Sequence, residues 1–179
     1  MIRAALQLLL VCCALLPIVT AAQPRPDLEE EAGEKKPWVE IAVRLPPFFK
    51  PENLLQFEPS AASSNRFYID PESIAIGSDG AVRYTLVVRS ASGAENVSYE
   101  GIRCETREQK YYAFGRRDGT WSNARSSEWR RIEYKEINRQ HGVLYADYFC
   151  PDRKSPIGSP KDAINRLKYG VPRSGGGSG

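Results

Sequence analysis

Apolar and polar residues alternate most clearly between Ala81 and Arg89. One face of this run is apolar, and its members are Val82, Tyr84, Leu86 and Val88. The other face holds Arg83, Thr85, Val87 and Arg89. A period of two predicts a half-buried β-strand over residues 81–89.

A hairpin is predicted to lead into this strand. The turn signal Gly77-Ser-Asp-Gly80 precedes it, and turns of this composition reverse the chain between strands. Two short strand-like runs, 67–69 and 73–76, come before the turn and are separated by Asp70-Pro71.

Further elements follow from the same patterns. The sequence predicts strands over 97–104, 110–114 and 143–150, and a short extended segment over 38–45. It predicts a helical turn at 51–55, where Pro51 suits the first position, and a helix over 161–169 that ends at Gly170. Residues 129–137 suit either a helix or a strand, and 115–127 are typical of a loop.

These elements predict an α+β domain over residues 38–173. Its centre is a small antiparallel sheet of four to six strands, with one or two helices packed on it. A closed or half-closed barrel is the alternative arrangement.

The N-terminal residues predict an export signal. A single Arg3 precedes an apolar run over 4–16, and small residues follow up to Ala22, as in a signal peptide that is removed after export. A membrane anchor is the alternative, although the run is shorter than the roughly 20 apolar residues that span a bilayer. Residues 23–37 then predict a flexible acidic linker, and 174–179 a Gly/Ser tail.

The predicted cleavage decides which cysteines remain in the mature chain. Cys12 and Cys13 leave with the signal peptide, so Cys104 and Cys150 remain in an oxidising compartment. They form one intramolecular disulfide or pair between chains. Because the Cys-x-x-Cys spacing of redox enzymes is absent, the bridge is interpreted as structural.

Charge argues against a nucleic-acid-binding protein. Residues 38–150 carry fifteen basic and fifteen acidic side chains, whereas such proteins concentrate basic residues on one face. Residues 151–179 carry six basic and two acidic side chains. This basic region suits weak contact with an anionic surface, or simply a solvated C-terminal helix.

Catalytic chemistry is sparse in this sequence. His141 is the only histidine, so it is either a general acid or base, paired with a glutamate and an arginine, or an exposed loop residue beside Gly142. With both mature thiols in a disulfide, too few ligands remain for a structural zinc site, and we predict no metal and no cofactor.

One stretch combines aromatic rings with guanidinium groups. Its members are Tyr111, Tyr112, Phe114, Arg116, Arg117, Trp121, Trp129, Arg130 and Arg131. Such residues bind sugars, polyanions or carboxylates by stacking and bidentate hydrogen bonds. The ligand-binding residues predicted from it are Tyr112, Arg116, Arg117, Trp121, Trp129 and Arg131. The alternative is that they serve as scaffold in a half-buried sheet.

Several motifs resemble the cryptic neisserial protein-like (CNP-like) family. The longest are Asp70-Pro-Glu-Ser-Ile-Ala-Ile-Gly77, Asp79-Gly-Ala-Val-Arg-Tyr-Thr-Leu-Val-Val-Arg-Ser90 and Gly93-Ala-Glu-Asn-Val-Ser-Tyr-Glu-Gly-Ile-Arg-Cys104. Shorter ones are Tyr112-Ala-Phe-Gly115, Asp118-Gly-Thr-Trp121, Trp129-Arg-Arg-Ile132 and Tyr148-Phe-Cys150. The resemblance covers residues 38–150 and implies an exported proteobacterial protein, periplasmic or associated with the outer membrane. It implies that both cysteines belong to the pattern, and it carries over no catalytic residue.

The sequence therefore favours a non-catalytic binding or interaction module of the cell envelope, periplasmic or secreted. Its expected partner is an envelope component or another protein, not a nucleic acid. One alternative is a small secreted hydrolase or lyase that acts on a polyanion through His141. Another is a structural part of an envelope complex, docked through the basic C-terminal helix.

Overall fold

The computed structural model describes residues 37–133 and 139–171, and these form one antiparallel sheet with helices on one face. The strands are β1 (Leu55–Phe57), β2 (Arg66–Ile76), β3 (Ala81–Arg89), β4 (Glu95–Arg103), β5 (Glu108–Gly115), β6 (Trp121–Asn123) and β7 (Arg130–Arg131). Their spatial order is β1 to β6 in sequence, and β7 pairs with β5 beside β6. The predicted α+β fold is confirmed, with seven strands in place of four to six. The sheet is open, since no pairing joins β1 to β6 among the described residues.

β2 merges the two short runs predicted on either side of Asp70-Pro71. The strand continues through a register shift between Asp70 and Ala75, because side chains replace the missing ladder bonds. The Asp70 carboxylate accepts from the Glu72 amide at 3.2 Å. The Ser73 hydroxyl donates to the Asp70 carbonyl at 2.7 Å and accepts from the Thr85 amide at 2.8 Å.

The predicted strand over 143–150 is wrong. The chain there forms the helix α1 (Arg139–Val143), which continues as a π-helical segment (Leu144–Phe149). Valine, tyrosine and phenylalanine favour strands locally, but tertiary packing overrides that preference. The segment buries Leu144, Tyr145 and Phe149 against the sheet.

The remaining helical elements lie close to their predicted positions. A short 3-10 helix spans Pro51–Asn53, and α2 spans Pro160–Tyr169. The Ser159 hydroxyl accepts from the Asp162 amide and caps α2, and Gly170 ends it at a φ of 86°.

The hydrophobic core lies between the sheet and these helices. From the sheet come Val82, Tyr84, Leu86 and Ile102, and from the helical side Leu144, Phe149, Ala163 and Leu167. A disulfide joins Cys104, just after β4, to Cys150, just after the π-helical segment. The intramolecular pairing is thus confirmed, although Cys150 follows a helix and not the strand predicted there.

The opposite face of the sheet is crossed by an extended segment, residues 38–49, which we call the strap. Side chains hold it in place. The Trp38 indole donates to the Asp79 carbonyl at 2.7 Å, and the Ile41 amide donates to the Asp79 carboxylate at 3.1 Å. Farther along, the Trp121 indole donates to the Pro46 carbonyl at 2.9 Å.

Two predicted regions differ in detail. β6 lies within 115–127, which was predicted as a loop. The stretch 129–137, which suits either a helix or a strand, contains the two-residue strand β7. Residues 134–138 of this stretch lie outside the described part. The predicted signal peptide, nearly all of the linker and the Gly/Ser tail also lie outside it. Within the described ranges, no helix has the length and apolar character to cross a membrane.

Candidate functional site

A β-bulge in β5 creates the most distinctive surface feature near the predicted ligand-binding residues. Ala113 pairs with Tyr99 and Tyr111 pairs with Glu100, so Tyr112 is an extra residue without a cross-strand partner. The bulge breaks the period of two and brings Tyr111 and Phe114 to the same face. Their rings stack with centroids 5.4 Å apart and planes 27° apart.

The stacked rings form one wall of a pocket of about 440 Å³, which we call the β5–β6 pocket. Neutral polar side chains of Ser122, Asn123 and Ser126 line another part of it. Phe114 is 45% exposed, so its ring is accessible at the wall of this cavity. The pocket therefore offers an accessible aromatic surface together with hydrogen-bonding groups.

Charge in the β5–β6 pocket is net positive, from Arg125 and Arg130 against Glu128. Arg130 donates to the Ser126 hydroxyl at 3.0 Å and lies 3.9 Å from the Glu128 carboxylate. Both charged groups of that pair are exposed, so solvent weakens their attraction. Within the described part of the chain, Arg125 has no hydrogen bond or ion pair. Its guanidinium is thus available to an anionic group.

Tyr111 connects the pocket to a buried polar cluster. Burial and the nearby Glu100 carboxylate raise the pKa of Tyr111, so its hydroxyl stays protonated at neutral pH. On its inner side the Tyr111 ring meets the His141 ring edge-to-face, with centroids 6.0 Å apart.

The buried cluster is centred on the Glu100 carboxylate. His141 Nε2 lies 2.8 Å from its Oε2, which also accepts from the Tyr84 hydroxyl at 3.0 Å. The Ser98 hydroxyl donates to Oε1 at 2.5 Å. Burial, with the Glu100 charge, raises the pKa of Tyr84 well above its ordinary value and keeps this phenol a donor.

The interpretation of His141 as an exposed loop residue is wrong. The residue is only 2% exposed, because α1 directs it against β4. Its partner Glu100 lies 41 residues earlier in the chain, so local sequence carried no sign of the pair.

The six predicted ligand-binding residues are divided among different places. Tyr112 and Trp129 lie under the strap, where both contact the Glu40 carboxylate, and Trp121 packs against Phe48 with ring centroids 5.2 Å apart. Arg116 and Arg117 lie in the turn between β5 and β6, and Arg116 donates to the Ser122 hydroxyl at 3.2 Å. Arg131 is exposed on β7.

The β5–β6 pocket therefore uses other members of the same stretch, namely Tyr111, Phe114 and Arg130, together with Arg125 from the loop that follows β6. In a regular strand with a period of two, Tyr111 and Phe114 would lie on opposite faces. No feature of the sequence indicated the bulge that places them on the same face.

Glu40 is the main polar anchor of the strap. Its carboxylate accepts from Lys110 Nζ and from the Tyr112 hydroxyl, each at 2.7 Å, and from the Trp129 indole at 3.4 Å. Gly101 lies beneath these rings, where a β-carbon would come within 3.0 Å of Tyr112 and Trp129. The close approach of the aromatic rings to the sheet thus requires glycine there.

Acid is expected to weaken this anchor. Burial by itself raises the pKa of Glu40, but the hydrogen bonds from Lys110 and Tyr112 outweigh it and hold the pKa below its ordinary value of 4.5. A lowered folded-state pKa contributes stability above the unfolded-state pKa, and this stability is lost as pH falls through the folded-state value. Glu40→Gln should therefore melt below the parent chain at pH 7, and the gap should close as the pH falls below 4.5.

Melting curves across this pH range provide the measurement, with Glu128→Gln as the exposed control. The comparison must be between variants, since Asp79 and Asp70 also titrate in this range. Burial raises the pKa of Asp79 but its bonds to Arg83 lower it overall, whereas burial raises the pKa of Asp70. A gap that stays constant with pH would show that the Glu40 charge contributes nothing.

Comparison with known proteins agrees with the motifs of the chain. The model of the CNP1-like family matches residues 33–168, which is more than half of the 179 residues. The chain belongs to the CNP1-like family. The match includes both cysteines of the disulfide, Cys104 and Cys150, and every described strand of this CNP1-like domain, and it ends within α2.

Membership of this family identifies the type of domain but assigns it no specific activity. The CNP1-like chain matches no curated protein and no solved structure. Within residues 37–133 and 139–171, no group of three or more His, Cys, Asp or Glu residues is arranged to hold a metal ion. A functional assignment for this CNP1-like domain must therefore come from its own geometry.

Proposed function

We propose that this chain is an exported, non-catalytic binding domain of the cell envelope, and that the β5–β6 pocket is its ligand site. The observation that carries the proposal is the accessible stacked pair Tyr111 and Phe114 beside the unengaged Arg125 guanidinium. Binding sites commonly combine an apolar wall with a few polar groups that orient the ligand.

Export is supported by the N-terminal pattern of one arginine, an apolar run and small residues. A periplasmic or secreted location also suits a domain with a buried disulfide, because such bonds persist in oxidising compartments. The available ligands would then be envelope components, which include glycans, lipopolysaccharide and proteins.

Binding is favoured over hydrolysis or elimination because His141 cannot reach a ligand. Its side chain is 2% exposed, and its Nε2 is engaged by Glu100. A ligand in the β5–β6 pocket would meet Tyr111, whose raised pKa keeps its hydroxyl protonated at neutral pH, so this group cannot accept a proton from the ligand.

Thermal shifts with envelope ligands test this function. The panel contains glycan fragments, lipopolysaccharide, polyphosphate and divalent metal ions. A ligand at about a hundred times its Kd stabilises by about 2.7 kcal/mol, which raises Tm by several degrees. For a ligand that raises Tm, we expect Phe114→Ala and Arg125→Ala each to lower its affinity at least tenfold.

Matched controls separate pocket residues from exposed residues in general. Tyr169→Ala removes another exposed aromatic ring, and Arg44→Ala removes another exposed arginine, and both should bind like the parent chain. A ligand that binds both pocket variants as tightly as the parent would contradict the assignment of the site.

A further inference from the structure

We infer that the β5–β6 pocket binds an acidic carbohydrate, in which a sugar ring carries a carboxylate group. This inference rests on the proposed function and narrows its ligand class. It follows from three properties of the pocket wall: an aromatic platform, an unengaged guanidinium and a set of neutral polar side chains.

The aromatic platform suits the apolar face of a sugar ring. Tyr111 and Phe114 stack with planes 27° apart and ring centroids 5.4 Å apart, so each ring fixes the position of the other in the pocket wall. Because Phe114 is 45% exposed, this surface is open to a ligand without rearrangement. Aromatic rings contribute large contact areas with little loss of conformational freedom.

The carboxylate is assigned to Arg125. A guanidinium has a planar fork of donors that matches a carboxylate in a bidentate geometry. Arg125 has no hydrogen bond or ion pair within the described ranges, whereas Arg130 is engaged by Ser126 and faces Glu128. The two arginines exceed the single acid, so an anionic ligand is favoured over a neutral one.

The neutral side chains suit sugar hydroxyl groups. Hydroxyl and amide side chains both donate and accept hydrogen bonds, as sugar hydroxyls do. Asn123 is exposed at the pocket, and the Ser122 and Ser126 hydroxyls each accept from an arginine and retain further bonding capacity. A polyphosphate or nucleic acid would instead require a continuous basic track, but residues 38–150 carry equal numbers of acidic and basic side chains.

Trigalacturonate and its fully methylated ester provide the test, because esterification removes the carboxylate charges and leaves the sugar rings and their hydroxyl groups unchanged. Isothermal titration of the full chain should show the acid binding at least tenfold more tightly than the ester. Arg125→Ala should remove this difference, and Arg125→Lys should restore only part of it because the fork is lost. Phe114→Ala should weaken the acid and the ester equally, and Arg44→Ala, at an exposed arginine outside the pocket lining, should change neither.

Each outcome bears on the inference separately from the proposed function. If the ester binds as tightly as the acid, with both sensitive to Phe114→Ala, the pocket remains a binding site but the acidic class is wrong. If a tripeptide of glutamate binds in an Arg125-dependent manner and neither sugar does, the carbohydrate class is wrong. If none of the three probes binds, the inference is overturned, while the proposed function is judged by the wider ligand panel.

Discussion

His141→Ala is expected to lower the free energy of unfolding by about 3–5 kcal/mol, because it removes a fully buried ring and leaves a buried acceptor without one of its partners. The substitution removes the contact that His141 Nε2 makes with the Glu100 carboxylate at 2.8 Å, and this carboxylate is 1% exposed. Tyr84 and Ser98 still donate to it, but no water can replace the lost imidazole without entering the core. Urea unfolding at pH 7 provides the measurement.

A double-mutant cycle with Glu100→Ala separates the pair from its surroundings. If the two groups stabilise each other, the double variant should lose less stability than the sum of the single variants. Glu128→Ala, at an exposed carboxylate, is the matched control and should change stability by no more than about 0.5 kcal/mol. A loss below about 1 kcal/mol for His141→Ala would show that the buried pair is not a structural element.

Replacing Cys104 and Cys150 together with alanine is expected to lower the free energy of unfolding by about 4 kcal/mol. The bridge spans 46 residues, and the cross-link restricts the unfolded chain more than the folded one. Both cysteines are fully buried, so alanine fits their positions with little change in volume. The effect should thus arise mainly from the unfolded state.

Denaturant unfolding tests this origin directly. Without the cross-link the unfolded chain is less compact, so the slope m should rise while the midpoint falls. Reduction of the parent chain should reproduce both changes, and the double variant should not respond to reductant. A midpoint that is unchanged in the double variant would mean that the disulfide contributes nothing to stability.

Local patterns were sufficient to place the strand over 81–89, whose predicted bounds are those of β3. The prediction that this strand is half-buried is wrong, because the strap covers the second face of the sheet and residues 81–87 are buried on both faces. The same reasoning failed over 143–150. That run is rich in residues that favour strands, yet the contacts of Leu144 and Phe149 with the sheet core make it helical.

The candidate site was only partly accessible to sequence reasoning. The stretch of aromatic and arginine residues was recognised, but it mixes residues from both faces of β5. Tyr111 and Tyr112 are neighbours in sequence, yet one lines the β5–β6 pocket and the other binds Glu40 of the strap. The bulge that directs these two residues to opposite faces depends on the pairing of β5 with β4, which is a long-range interaction.

By itself, the sequence determined the class of this protein: an α+β domain in the CNP1-like family, with Cys104 and Cys150 as its cysteine pair and a basic C-terminal helix. These features depend on residue type, short-range period and spacing, which the chain carries locally. Only the tertiary structure decided that His141 is buried on Glu100, that the strap covers one face of the sheet, and that Tyr111, Phe114 and Arg125 share one pocket. Each of these joins residues brought together by folding, and strand register and helix packing set their distances.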